Sequence, residues 1–488
     1  MKFKRLTYWL LTLTTVFTTS GCGDSIILAE GGIGGTGISS GQVSGFGSIF
    51  VNGVKFDTSD AQIVIDDNEA SEDELQVGMT VTVHGTIDAD DPSRGDASKI
   101  EFAYLLRATV ESVDRLNGRI TAAGQTILTH ELTVFANTSI ETLDSGSEIA
   151  VSGLINASNE IVASYIFQPL TFQPDTTTAQ PIDGETPPLA SKYLTTTAVD
   201  ISGTVSQLDL DEQTFIIGGQ RVSFANLDAG ELSEGDVVQL NGNLSEGLLV
   251  ATSLTQLSPP YRGSAGETAT MVGYISHLLS GDRFKMLDYT INIDNQTTFI
   301  AGKRTELTTN SRVRVHATFN SRGHLVADEI TFLLPATIHV VAAVDAIDGS
   351  RITLAGIDVT SQDTTLMLDN SAYIRAFSTR DIGVGDILLV YGYQSSEGIT
   401  LSRLERRANL DVTVIQGPAN GNVNSPRFDL LGVQVDTSAI NPKNGFSGAN
   451  GNPISHDQFY AALQRGETVY ASGLLNGSTL EATKAGIK

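Results

Sequence analysis

Cysteine is almost missing from this chain of 488 residues: Cys22 stands alone, so neither an intrachain disulfide nor a cysteine-based zinc site can form. Positive charge is scarce as well, with 30 Lys and Arg against 56 Asp and Glu, a formal charge of −26. Such a chain is repelled by phosphate backbones, which argues against nucleic acid as a partner. The seven histidines form no close-spaced ligand pair, so no metal and no cofactor is expected. No Gly-x-Ser-x-Gly elbow, His-Glu-x-x-His helix or phosphate loop is present. Paired acids are plentiful, but an acidic chain offers them everywhere, so none stands out as an acid/base pair. No catalytic residue is singled out, and an enzyme is not expected. What is there instead is 40% hydrophobic residues and 48 glycines. Glycine with abundant Thr, Val and Ile points to short strands and tight turns, and the length to several domains.

The N-terminus reads as an export address. Lys2, Lys4 and Arg5 precede an apolar stretch, Leu6–Phe17, that is short for a permanent membrane span. Thr19-Ser20-Gly21-Cys22 follows. It resembles the lipobox of bacterial lipoproteins, with Thr19 where that family usually carries Leu. The resemblance implies a signal peptide over 1–21, lipid on Cys22 and a membrane partner reached through that lipid. Gly23 after the cysteine, where an Asp would retain the protein at the inner membrane, implies the outer membrane of a Gram-negative cell. The glycine-rich stretch 22–41 reads as a flexible tether.

One segment then recurs six times with identical spacing: Leu-x-x-Gly-x-x-Val-x-Val-x-Gly. Its first copy is Leu75, Gly78, Val81, Val83 and Gly85; its fourth, Leu307, Asn310, Val313, Val315 and Ala317, alone replaces both glycines. Two apolar residues two apart place both side chains on one face of a strand. Upstream in each copy lies apolar-x-apolar-x-Gly-x-x-apolar, as in Ile49, Val51, Gly53 and Phe56, which reads as a hairpin. A leading strand opens each unit and another follows the central one.

Five short strands with one apolar stripe cannot stay flat with both edges open, and closure into a small barrel removes the edges. The expected fold is therefore all-β, six tandem five-stranded barrels that look like reduced oligonucleotide/oligosaccharide-binding (OB) barrels. The units fall at 42–106, 107–168, 199–257, 269–334, 338–407 and 408–488, with a Pro/Thr-rich linker over 169–198. The run VSGFGSIFVNGVKFDTSDAQIVID…LQVGMTVTVHGTID in the first unit resembles the bacterial domain-of-unknown-function family numbered 5666. That resemblance implies tandem small barrels on secreted proteins and lipoproteins, and no activity.

Candidate binding residues are few. The fourth unit, with 7 basic and 6 acidic residues, is the only one that is not acidic. Arg312 and Arg314 alternate with Val313 and Val315 and so face away from its core. The fifth unit carries an aromatic and arginine loop with Tyr373, Arg375 and Arg380, and the sixth an insertion over Asn441–Asp457. Long loops on rigid barrels are where binding sits. Asp88, Asp90, Asp91 and Asp96 cluster in one loop but lack the spacing of a calcium loop and read as a solvated turn. The leading expectation is a non-enzymatic envelope lipoprotein acting as spacer, structural element or adhesion surface. The alternative is a module that binds a glycan or an envelope protein through the fourth unit or the loops of the fifth and sixth. A hydrolase with its site between two barrels is the third reading.

Overall fold

The computed structural model describes residues 35–169, 198–227, 230, 232–257 and 261–488. The expected leader, Cys22 and most of the 169–198 linker lie outside these. The described residues are almost all strand and turn, with one α-helix, His456–Gln464 (α1).

Each repeat closes a ring in the order first, second, third, fifth, fourth, first. In the first repeat Gly35–Gly45 pairs with Ile49–Val51, which pairs with Val54–Asp57. That strand runs parallel to Arg94–Phe102, which pairs with Thr80–Ile87, which returns to Gly35–Gly45. The circuit recurs in every repeat. In the third and fourth the leading strand is broken into Ala198–Thr204 with Ser206–Asp209, and Thr268–Tyr274 with His277–Ser280.

The recurrent segment is the fourth strand and the turn before it. Val81 and Val83 point into the ring and are buried, as are their counterparts Val313 and Val315. The glycine before the strand takes a left-handed φ in each copy, +100° at Gly78 and +91° at Gly385, and Asn310 adopts +70° in the fourth. Asn310 also uses its side chain: its Oδ1 accepts from the Ala157 amide of the second ring at 2.7 Å. The closing glycine sits at a β-bulge against the fifth strand, between Ser472 and Gly473 in the last ring. A Cβ on Gly473 would lie 2.0 Å from the Glu481 carbonyl oxygen, so the backbones meet where no side chain fits. These two glycines predict different losses. Gly385→Ala has open space around its Cβ and pays only for φ, about 1–2 kcal/mol. Gly392→Ala would put a Cβ 2.4 Å from the Thr400 carbonyl oxygen and should cost more. Urea unfolding midpoints of the two variants will rank them.

The rings are joined edge to edge. After a leading strand has paired with its own fourth strand, its other edge is open over the first few residues. That edge is filled by the leading strand of another ring. Leu106 and Ile201 pair the second ring with the third, and Val340 and Ile415 the fifth with the sixth, both antiparallel. The first ring pairs with the fourth, in parallel, over Gly37–Ser40 and Thr268–Met271. The apolar cores follow: the second and third rings share one cluster of buried residues, and the fifth and sixth share another.

Two expectations need correction. The tether assigned to 22–41 ends sooner, because Gly35–Gly41 already belongs to the first ring's leading strand. Its Gly and Ser carry no apolar pattern because the segment is gripped through backbone on both edges. A Cβ on Gly37 would sit 1.8 Å from the Thr268 carbonyl oxygen. The insertion Asn441–Asp457 is not an open loop. It folds into the hairpin Phe446–Ser447 and Pro453–Ile454 and runs into α1, where Phe446 is buried and stacked on Phe459 at 4.7 Å. Ser455 caps the helix: its Oγ accepts from the Gln458 amide, and Gln458 Oε1 accepts from the Ser455 amide.

Candidate functional site

Each arginine singled out in the sequence has a definite place. Arg375 is fully engaged. Its Nη1 donates to the Leu75 carbonyl at 2.9 Å and its Nη2 to the Glu72 carbonyl at 2.5 Å, while the guanidinium lies 3.6 Å from the centre of the Phe46 ring. It fastens the fifth ring to the first and has little left for a ligand, which corrects its reading as a binding residue. Tyr373 is 81% exposed on the same loop, and Arg380 is exposed on the short 3-10 turn Thr379–Asp381. In the acidic loop, Asp88 accepts from the Asp90 amide and Asp91 from the Ser93 amide, so the carboxylates close their own turns. Among the described residues no group of three or more His, Asp or Glu could hold a metal ion.

The fourth ring carries two separate concavities. The outer one, about 430 Å³, lies between its hairpin and the turn that joins its fourth and fifth strands. Arg262, Arg283 and Arg322 line it with Tyr289, Asn292 and His324. None of these three guanidinium groups makes a hydrogen bond or ion pair to a described residue. Arg262 was not legible as a site residue because it follows Pro259-Pro260 and reads as linker.

The inner concavity, about 300 Å³, is where the fourth ring meets the first, second and fifth. Arg312 and Arg314 point into it beside Gln42, Leu132 and Tyr393. Alternation does turn both arginines out of the core, but they face neighbouring rings and are only partly exposed.

The floor of this junction is the turn His130–Thr133 of the second ring. Arg403 of the fifth ring donates from Nη1 to the carbonyls of Glu131 and Thr133 at 3.0 and 2.9 Å, and from Nη2 to Glu405 at 2.6 Å. Glu131 Oε1 accepts from the Ala336 amide at 3.0 Å. Burial, with Arg312 and Arg403 nearby, pushes the His130 pKa down against the pull of Glu131.

His339, stacked on Tyr391 at 4.4 Å, is pushed down to about 4, chiefly by burial and then by Lys488, Arg407 and Arg403. A histidine in the unfolded chain ionises near about 6.5. Between those values the unfolded chain binds a proton that the folded chain refuses. Stability therefore falls as pH drops below about 6.5 and levels off below about 4, a total on the order of 3 kcal/mol. In His339→Gln the fall in melting temperature between neutral pH and pH 4.5 should be visibly shallower; an unchanged slope would show that His339 does not drive it.

Comparison with known proteins adds a family. A model described as "Domain of unknown function (DUF5666)" matches residues 38–101, 107–166, 202–255, 272–331 and 341–402. These matches fall on the first five rings, and the sixth, with its inserted helix, lies beyond them. Among solved structures the chain is similar to "drosophila Unr CSD456" at 16% identity, covering 42% of this chain and 96% of that one, with a TM-score of 0.11. No curated protein matches.

Proposed function

The chain belongs to the DUF5666 family, and on that footing we propose that it is a non-enzymatic structural or adhesion protein of the cell envelope, built from six OB-like rings and held to the outer membrane by lipid on Cys22. The observation that carries this reading is the edge-to-edge pairing of the leading strands. Side chains fill each ring, with Phe56, Phe215, Phe284 and Phe446 among the largest buried groups. Rings filled in this way offer no lumen, so their business is at outer faces and junctions. Paired rings also favour a stiff block that presents a surface over a string of independent beads. Lipidation adds roughly 0.8 kcal/mol per buried methylene, and more than one chain anchors stably. The test is metabolic labelling with a palmitate analogue followed by fractionation. The protein should take up label and sediment with membranes, and Cys22→Ala should do neither; a labelled or membrane-bound Cys22→Ala protein would remove the anchor from this reading.

The second reading, a glycan-binding module, is favoured by the outer cleft of the fourth ring. Three unpaired guanidinium groups against one carboxylate, Asp288, with tyrosine and asparagine around about 430 Å³, suit an acidic sugar chain. Oligogalacturonate titrated into the whole protein should bind with a strong salt dependence, and Arg283→Met with Arg322→Met should weaken it at least about tenfold. Binding that ignores both substitutions would rule the cleft out.

A further inference from the structure

We propose that the inner junction of the first, second, fourth and fifth rings is a binding site for a small organic anion, a single carboxylate or phosphate on an apolar stem. This site is separate from the outer cleft, shares none of its lining residues, and does not depend on the glycan reading.

The junction holds an unmet donor. Buried polar atoms are nearly always paired, and each exception asks for a cause. Three buried side-chain polar atoms among the described residues have no partner: Arg312 Nε, Arg403 Nε and His339 Nε2. Arg403 is otherwise saturated through its two terminal nitrogens, as above. Arg312 differs, because its side chain makes no hydrogen bond and no ion pair to any described residue. It is a partly buried cation with no bonded counter-ion among the described residues, in a chain that has nearly two acids for every base. The nearest negative group on the floor, Glu131, is occupied by the Ala336 amide and does not reach bonding distance of Arg312.

Arg314 stands two residues on, on the same face, and is held loosely. Its Nη2 lies 3.8 Å from Glu329 Oε1 and 3.4 Å from Thr331 Oγ1. Two guanidinium groups on one wall can accept a carboxylate or a phosphate in a fork, which is the geometry that arginine provides and lysine does not. Part of the wall beside them is apolar, with Ile300, Phe332 and Leu334 of the same ring and Leu366 of the fifth, while Gln42, Asn52, Gln362 and Thr364 make the facing side polar. A bare inorganic ion would satisfy the arginines and leave that wall in contact with water. A short hydrocarbon attached to the anion would cover it. At about 300 Å³ the space fits a small molecule and not a polymer.

A partly buried cation whose Nε is shut off from both water and any partner is a stability cost in the empty protein. This separates the proposal from a structural role. If Arg312 were there to hold rings together, its loss would weaken the fold. If it waits for an anion, its loss will weaken binding and leave the ligand-free fold as stable or more so.

The test uses the whole protein, with melting temperature and calorimetry as readouts and four probes: hexanoate, hexyl phosphate, hexylammonium and inorganic phosphate. Hexanoate or hexyl phosphate should raise the melting temperature saturably, and whichever binds identifies the head group. Hexylammonium should do nothing, and inorganic phosphate should bind at least about tenfold more weakly than the better of the two. Arg312→Met should lose at least about tenfold in affinity and, without probe, melt no lower than the parent. Thr364→Trp, a rim substitution that leaves Arg312 in place, should block the site by filling it, independently of the charge. Arg465→Met, which removes an exposed arginine of the sixth ring outside both concavities, should bind both alkyl anions as the parent does. The proposal is overturned if neither alkyl anion shifts melting at millimolar concentration, if both junction variants bind as the parent does, or if Arg312→Met alone melts well below it.

Discussion

Arg107→Met should lower the unfolding free energy by about 5 kcal/mol, the upper end of what loss of one partner from a buried ion pair costs. Arg107 opens the second ring, and its guanidinium joins three rings. Nη1 donates to Asp200 of the third ring at 2.8 Å, and Nη2 donates to Asp66 of the first. All three side chains are only 12–13% exposed. The cation also lies 4.6 Å from the centre of the Tyr104 ring. Burial already holds the Asp200 carboxyl above its ordinary pKa even with Arg107 present. Without Arg107 two carboxylates face each other in a dry seam. Burial and the neighbouring Asp66 then push the Asp200 carboxyl up with no cation to oppose them, so the variant's deficit should grow as pH increases through the carboxylate range. Urea unfolding at pH 5 and pH 8 measures both the size and the trend. Adding Asp66→Asn and Asp200→Asn to Arg107→Met should recover much of the loss. A deficit below about 1 kcal/mol would mean that the seam is wet and the pair behaves as a surface one.

Arg406→Met should cost about 4 kcal/mol by the same physics inside a single ring. Asp369 has a side chain sealed from solvent, and Arg406 grips it with both prongs, Nε to Oδ1 at 2.9 Å and Nη2 to Oδ2 at 2.7 Å. The Ser371, Ala372 and Ile374 amides donate to the same carboxylate. Arg406 and these amides hold its pKa well below the usual carboxylate range. A depressed carboxylate stabilises the fold above its unfolded pKa, and that support is lost as pH falls through the folded value. The parent should therefore show an acid-labile contribution that Arg406→Met largely lacks. The same loop carries Tyr373 and Arg375, so this variant should also loosen the contact between the fifth ring and the first, detectable as faster amide exchange near Leu75 and Phe46. Unchanged exchange there would show that the loop stays docked without its anchor.

Much of each ring was legible from local pattern. The Val-x-Val alternation fixes which side chains enter the core, and the two flanking glycines answer to a left-handed turn and a backbone approach that a Cβ would block. These are short-range requirements, so they leave marks at fixed spacing. The pairing between rings left none. Strand edges bond through backbone, and Gly37 with Thr268 or Leu106 with Ile201 look like any other strand residues. Arg375 shows the corresponding error. An arginine beside aromatic residues on a long loop satisfies the pattern of a binding residue equally well when its partners are carbonyls of another ring. Helix α1 could have been found, since Ser455 and Gln458 spell a capping box ahead of Phe459, Tyr460 and Leu463. The surrounding Gly and Asn hid it. For the junction, alternation identified Arg312 and Arg314 as turned outward, but what lay opposite them depended on which rings meet.

The parallel seam between Gly37–Ser40 and Thr268–Met271 also sets an order of assembly. A chain emerging N-terminus first completes its first ring at Phe102, and must then make the whole of its second and third rings before the strand that covers the first ring's flank, Thr268–Tyr274, appears. Over that interval the flank of Gly35–Gly45 is an unpaired template for any passing strand. Its run of glycine and serine, nearly bare of apolar side chains, gives a stray partner backbone bonds but almost nothing to bury, which is how such a waiting edge stays unclaimed until residue 268 arrives.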